Sequence, residues 1–281
     1  MTLELGIDLA YLAALPLVSL RCLGTFAVAP LFGSRFVPAQ VRVALGLLCG
    51  VLLVPLALGG AGGAAAAGAA GPLATLAAGG SWGALASPME YAIRCGAELL
   101  LGLGVGYLAL LFLAAAQIAG QVMDMELGFA MVSVLDPQFG LQLPLIGSLL
   151  NLLGVLVFLA LDGHLLLMRA LRDSVLLLPP GGLGLDAGAA ELLLRAFAAT
   201  FVTALKLAAP VVAALFLVSV ALGIVARTVP QMNVFVVGLP LRIAVGIAVL
   251  LLTLPYVGAV FAPALSGVFE TINRLLAGLA G

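Results

Sequence analysis

A chain of 281 residues in which 64% of the side chains are hydrophobic and only 8% charged is no ordinary soluble domain, whose charged fraction is about 25%. With a mean hydropathy of +1.33 it belongs in a membrane or in a largely buried assembly. Eleven Lys and Arg against twelve Asp and Glu leave a formal net charge of −1, which excludes the basic footprint of a nucleic-acid-binding protein and the polybasic patch that anionic lipid attracts. Cys22, Cys49 and Cys95 lie far apart in apolar surroundings without CxxC spacing and read as small buried apolar residues. A single histidine leaves too few imidazoles for most metal or acid–base enzymes, so neither enzyme activity, a metal nor a cofactor is expected.

The charges are spaced so that uncharged runs fall at 43–89, 99–123, 137–161, 207–226 and 243–269, with a further run over 9–34 broken only by Arg21. Each is long enough for the roughly 20 residues that cross a bilayer. These runs predict an all-α protein of about six hydrophobic helical segments, near 8–31, 41–58, 88–119, 144–171, 195–226 and 240–264. Glu4 and Asp8 stand where a signal peptide is basic, so the first segment reads as a retained helix. Residues 57–80 are almost wholly Ala and Gly and read as a flexible connection. Ser87-Pro88-Met89-Glu90 then forms a capping box with proline at the first helical position. A straight helix over 88–119 would be about 48 Å long against a hydrocarbon core of about 30 Å. Gly102, Gly104 and Gly106 offer it a bend or a close helix contact. Arg35, Arg42, Arg227 and Arg242 fall on one side of the membrane in this scheme and Arg94, Arg169, Arg172 and Arg195 on the other, so counting basic residues gives no orientation.

The apolar pattern breaks most informatively over 117–140. Met123, Met125 and Met131 cluster beside Phe129 and alternate with Gly120 and Gly128. Methionine is unbranched and polarisable, so such a segment suits a pliable seal around an object of variable shape. Core filling is the ordinary reading of a methionine cluster, and Asp124, Glu126 and the glycines weigh against a plain core helix. Asp136-Pro137 supplies an N-cap and a first helical residue. Asn151, Asp162 and His164 interrupt the next apolar helix, where polar groups are costly and are expected to be paired. Two residues apart on a helix, Asp162 and His164 face different ways and cannot jointly hold a metal or relay a proton, so structural contacts are the favoured reading. Glu98, Lys206 and Arg21 are isolated charges in apolar runs, each expected to have a partner in this chain or on another subunit. Ser148 and Ser266, each beside a glycine, lack the elbow pattern of a hydrolase nucleophile. A small-solute transporter would need paired polar groups at mid-depth or two matching broken helices, and no internal repeat supplies them.

Four stretches together, Arg35–Leu47 (RFVPAQVRVALGL), Gly120–Pro137, Phe158–His164 (FLALDGH) and Arg227–Ile243 (RTVPQMNVFVVGLPLRI), resemble the FliR/SctT family of type III export-apparatus proteins over nearly the whole length. The Asp-Gly-His element and the Pro179-Pro180-Gly181 turn look flagellar rather than virulence-type. The resemblance implies a single export-gate domain over 1–281 built of kinked helical hairpins. It implies partners of the FliP and FliQ type, FlhB-like and FlhA-like export components, unfolded flagellar proteins as cargo, and a multi-pass place in the bacterial inner membrane at the flagellar basal body. It further implies that residues 117–131 form a plug-like loop, with Val122, Met123, Met125, Leu127 and Phe129 as the gasket and Gly120 and Gly128 as hinges. Asp124 stands where the family often has glycine, and Glu126 where it often has glutamine, which would add negative charge beside the pore.

Overall fold

The computed structural model describes residues 9–33, 37–64, 88–129, 144–181, 187–229, 231 and 234–280. These form seven α-helices and, among the described residues, no strand: α1 (Leu9–Val28), α2 (Ala39–Ala64), α3 (Pro88–Leu127), α4 (Leu145–Ala160), α5 (Gly163–Leu177), α6 (Ala187–Thr228) and α7 (Val234–Ala280). Five of them, α1, α2, α3, α6 and α7, are long and apolar enough to cross a membrane, and α4 with α5 makes a sixth if that bent pair counts as one span. The expected set of about six apolar segments is therefore present, but most boundaries move outward. α2 continues to Ala64, into the Ala/Gly-rich stretch read as a flexible connection; the rest of that stretch lies outside the described residues. α6 and α7 run to 42 and 47 residues.

One expected helix is two. The segment over 144–171 breaks between α4 and α5 with a bend of 64°. Asp162 sits at the break with φ +54°, a left-handed conformation that Asp tolerates better than most residues because its short polar side chain bonds locally. Leu161 and Asp162 close the end of α4 through backbone bonds to Val157 O and Leu159 O at 2.9 and 3.1 Å.

The helices sort into two compact units. The first comprises Met1–Leu110, His164–Ala196 and Val268–Gly281, the second Leu111–Gly163 and Phe197–Gly267. In the first unit Ala14, Val18, Cys22 and Phe26 of α1 pack with Val54 and Ala57 of α2 and Leu171 and Val175 of α5. Gly102 and Gly106 of α3 are the close-contact glycines: a Cβ on Gly102 would strike Arg21 O, and one on Gly106 would lie 2.6 Å from Thr25 O. Side-chain-free positions four apart let two helix backbones touch, and Thr25 Oγ1 sits in that contact, 3.1 Å from Gly102 O. The third glycine, Gly104, faces open space. In the second unit Phe112 lies 5.2 Å from Phe261 and 6.4 Å from Phe158, and Leu150 and Leu215 are fully buried.

Candidate functional site

The segment expected to carry the gasket begins as helix. Residues 117–127 are the last turns of α3, which corrects the expectation of a loop there. Gln, Met, Glu and Leu are all good helix formers, and together they outweigh Asp124 and Gly120. The helix stops at Gly128, whose φ of +87° is the left-handed conformation that ends many helices at low cost to glycine. The Gly128 N–H donates to Met125 O at 3.1 Å. Gly128 is thus a helix terminator. Gly120, expected as the other hinge, lies inside α3, and a Cβ there would strike the backbone of Gly147 at the start of α4.

That contact brings Asp124 to its task. α4 opens at Pro144, which offers no side-chain cap, so the first-turn N–H groups of α4 have no partner of their own. The Asp124 carboxylate accepts both the Ile146 N–H (2.9 Å) and the Gly147 N–H (3.0 Å). It is only 6% exposed. An acid in α3 therefore caps the positive end of α4, favoured by hydrogen bonding and by the helix dipole alike. One and two turns earlier on the same face, Gly120 permits the approach and Gln117 Nε2 donates to Asn151 Oδ1 at 3.1 Å. The Asp124 charge is spent on α4, which replaces the expectation that it adds free negative charge beside a pore.

The five expected gasket residues divide by face. Met123 and Leu127, four apart, are each 1% exposed. Leu127 lies over Gly246 of α7, where a Cβ would strike it, with Leu215 of α6 alongside. Val122 and Met125 point outward, Met125 at 69% exposure, and Phe129 is half-buried. Met131 and Asp136 lie outside the described residues. Met123 thus fills the core, as the ordinary reading of a methionine cluster has it, while Met125 lies on the surface.

The isolated charges resolve unequally. Arg21 and Glu98, each 0% exposed, pair through Nε and Oε2 at 2.6 Å. Arg21 Nη1 also donates to Ser174 O at 2.7 Å and Leu178 O at 3.0 Å, at and just past the end of α5, where the helix dipole favours a cation. Glu98 Oε1 accepts the Gly181 N–H at 2.8 Å, and Gly181 turns the chain there with φ +83°. One ion pair joins α1, α3, the end of α5 and the turn after it. Sequence reading anticipated a partner for each charge; it did not find Ser174 or the Leu178 carbonyl, for which no sequence signal exists. Asp162 and Lys206 are exposed, a correction to their expected burial: Asp162 occupies the bend, and Lys206 stands on an outward face of α6. His164 is half-buried, and its Nδ1 has no partner among the described residues. Among the described residues no three His, Cys, Asp or Glu side chains converge as a metal site would require.

Among the described residues the arrangement is a capped helix start held against the last turns of α3, with the apolar side chains of Val122 and Met125 exposed beside it. The family model for bacterial export proteins, family 1, matches residues 12–268. The chain is 36% identical over 267 residues to the flagellar biosynthetic protein FliR of Bacillus subtilis (strain 168), covering 93% of each chain. To the protein of the same name from Escherichia coli (strain K12) it is 28% identical, over 92% of this chain and 89% of the other. It is 30% identical to Yop proteins translocation protein T of Yersinia pestis over 152 residues, 53% of this chain and 58% of the other. The chain belongs to the bacterial export proteins of family 1.

Proposed function

We propose that this chain is a core subunit of the flagellar type III protein export gate, helping to form and seal the channel through which unfolded flagellar proteins cross the bacterial inner membrane. The observation that carries this reading is similarity over 92–93% of the chain to relatives named flagellar biosynthetic protein FliR. The virulence-system relative is matched over little more than half of either chain, which favours the flagellar assignment.

The physical chemistry of the surface agrees with subunit status. At 42 and 47 residues, α6 and α7 are about 60–70 Å long, twice the hydrocarbon thickness of a bilayer. Leu194, Phe197, Phe201, Leu217 and Leu252 are among the exposed large side chains on them. Lipid covers only part of such a length, and contiguous apolar surface beyond it calls for protein partners. The FliP-like and FliQ-like gate subunits are the partners proposed to cover it, with FlhB-like and FlhA-like components nearby at the basal body.

The sealing role is assigned to the end of α3. Val122, Met125 and Phe129 present the soft outer face, while Met123 and Leu127 anchor it from behind. A passing chain displaces this face sterically, with the energy supplied elsewhere in the apparatus. The test is deletion of the gene in its own host: export of flagellar proteins into the medium is expected to stop and to return with a plasmid copy. Normal export from the deletion strain would refute the assignment. Purification after co-expression with the two gate subunits should give a heteromeric complex.

A further inference from the structure

Lys206 is the isolated charge that finds no partner among the described residues. Its ammonium makes no hydrogen bond or ion pair with any described residue, and its side chain is exposed. Along α6 it is preceded by the uncharged stretch 196–205 and followed by 207–226. Val202 and Leu205 beside it are exposed as well.

Its depth can be read from α7. Pro210 lies inside α6, and since proline has no N–H, the carbonyl four residues back loses its helical donor. That carbonyl belongs to Lys206, and Tyr256 of α7 supplies the donor, its hydroxyl 3.3 Å from Lys206 O. Tyr256 is the midpoint of the 243–269 run in α7, which carries no charged residue for 13 positions on either side. A bilayer is crossed by about 20 residues, so this level of the hairpin is remote from polar surroundings in either direction. A lysine stem lets the ammonium reach water or a headgroup only near the end of an apolar helix. At mid-depth the group that can neutralise it is a carboxylate brought to the same level.

We propose that the face of α6 around Lys206, with Val202, Leu205 and Tyr256, is the docking surface for an apolar helix of another gate subunit that carries an Asp or Glu opposite Lys206. The inference rests on the gate-subunit reading and adds to it the position and chemistry of one contact. An unpaired charge in an apolar interface is costly, and the apolar neighbours supply packing area that a single ion pair does not.

The experiment uses the full chain co-expressed and purified with the FliP-like and FliQ-like subunits. A membrane-permeant carbodiimide activates a carboxyl group, which an amine in contact then attacks to form an amide, the carbodiimide leaving as its urea. Mass spectrometry is expected to find an amide between Lys206 Nζ and an Asp or Glu in an apolar helix of a co-purified subunit, absent in Lys206→Met. Lys206→Glu is expected to recover about tenfold less partner or worse, and Lys206→Arg to behave as wild type. Because Lys206 is exposed, each variant chain alone should melt at the wild-type temperature; should Lys206→Glu fail to fold, the cross-link and Lys206→Met decide. Undiminished partner recovery by Lys206→Glu, or ready modification of Lys206 by a water-soluble amine reagent within the complex, overturns the proposal. So does a phospholipid that native mass spectrometry finds lost in Lys206→Met with no cross-link formed. A wild-type chain that recovers no partner instead refutes the gate reading itself, whereas partner recovery independent of Lys206 refutes this surface alone.

Discussion

Asp124→Ala removes a cap that belongs to another helix, and its cost can be worked from the geometry. Two backbone N–H groups, of Ile146 and Gly147, lose acceptors at 2.9 and 3.0 Å. Hydrogen bonds to a charged acceptor contribute about 1.5–3 kcal/mol each, and an N-cap acid replaced by alanine typically costs about 1 kcal/mol. The site is 94% shielded, with Asp124 at 6% exposure, so water is poorly placed to replace the carboxylate. A loss of about 2–4 kcal/mol follows, localised to the start of α4 and the end of α3. Asp124→Asn retains one acceptor and turns an amide donor toward the other N–H, for a loss of about half that size. The assay is hydrogen exchange on the purified chain in detergent. The Ile146 and Gly147 amides should exchange about thirtyfold faster or more in Asp124→Ala, a factor that corresponds to about 2 kcal/mol. Glu126→Gln, with no role in the cap, serves as control. Unchanged protection of those two amides in Asp124→Ala would show that the carboxylate does not cap α4.

Gly102→Ala and Gly106→Ala should each lower the thermal midpoint, by a loss of about 1–3 kcal/mol, because the added methyl meets α1 backbone; Gly104→Ala, facing open space, should leave the midpoint unchanged or slightly raised. Arg21→Met and Glu98→Leu should each destabilise by about 3–5 kcal/mol by stranding a buried charge, and the double variant should be less damaged than their sum, as a double-mutant cycle by thermal or denaturant unfolding will read. Replacing Val122 and Met125 with serine should raise ion leakage through cells expressing the complete gate while leaving the unfolding free energy of the isolated chain within about 0.5 kcal/mol of wild type. Met123→Ala, by contrast, should cost about 2–5 kcal/mol in stability, and a leak from that variant reports lost packing.

The helices were legible because their apolar runs are long, and their ends were misjudged for a physical reason. Charged residues were read as stops, yet Glu270 and Arg274 pair at 2.7 Å four residues apart and so continue α7 well past the expected end at 264. Asp124 likewise looked like a departure from helix because its acceptors' partners are backbone groups 22 and 23 residues away, which no local pattern displays. The break at Asp162 did carry a signal, the Asp-Gly dipeptide, which is a turn former, but the apolar run on both sides concealed it. Of the isolated charges, the need for a partner was readable from the cost of burying them; the choice of Glu98 for Arg21, 77 residues apart, is a product of tertiary packing alone. The plug assignment rests on resemblance, and the geometry separates the buried Met123 and Leu127 from the exposed Val122 and Met125, which composition does not.

The Arg21–Glu98 pair also imposes a timetable on biogenesis. A ribosome adds about 5–20 residues per second, so the guanidinium emerges about 4–15 s before the carboxylate that neutralises it, and longer still before Ser174 and Leu178 arrive. During that interval α1 carries an uncompensated cation in an apolar helix, which disfavours its release into hydrocarbon as a finished span. The first helix is therefore expected to settle as a span only once α3 is made, so that the pair Arg21–Glu98 couples the insertion of these helices.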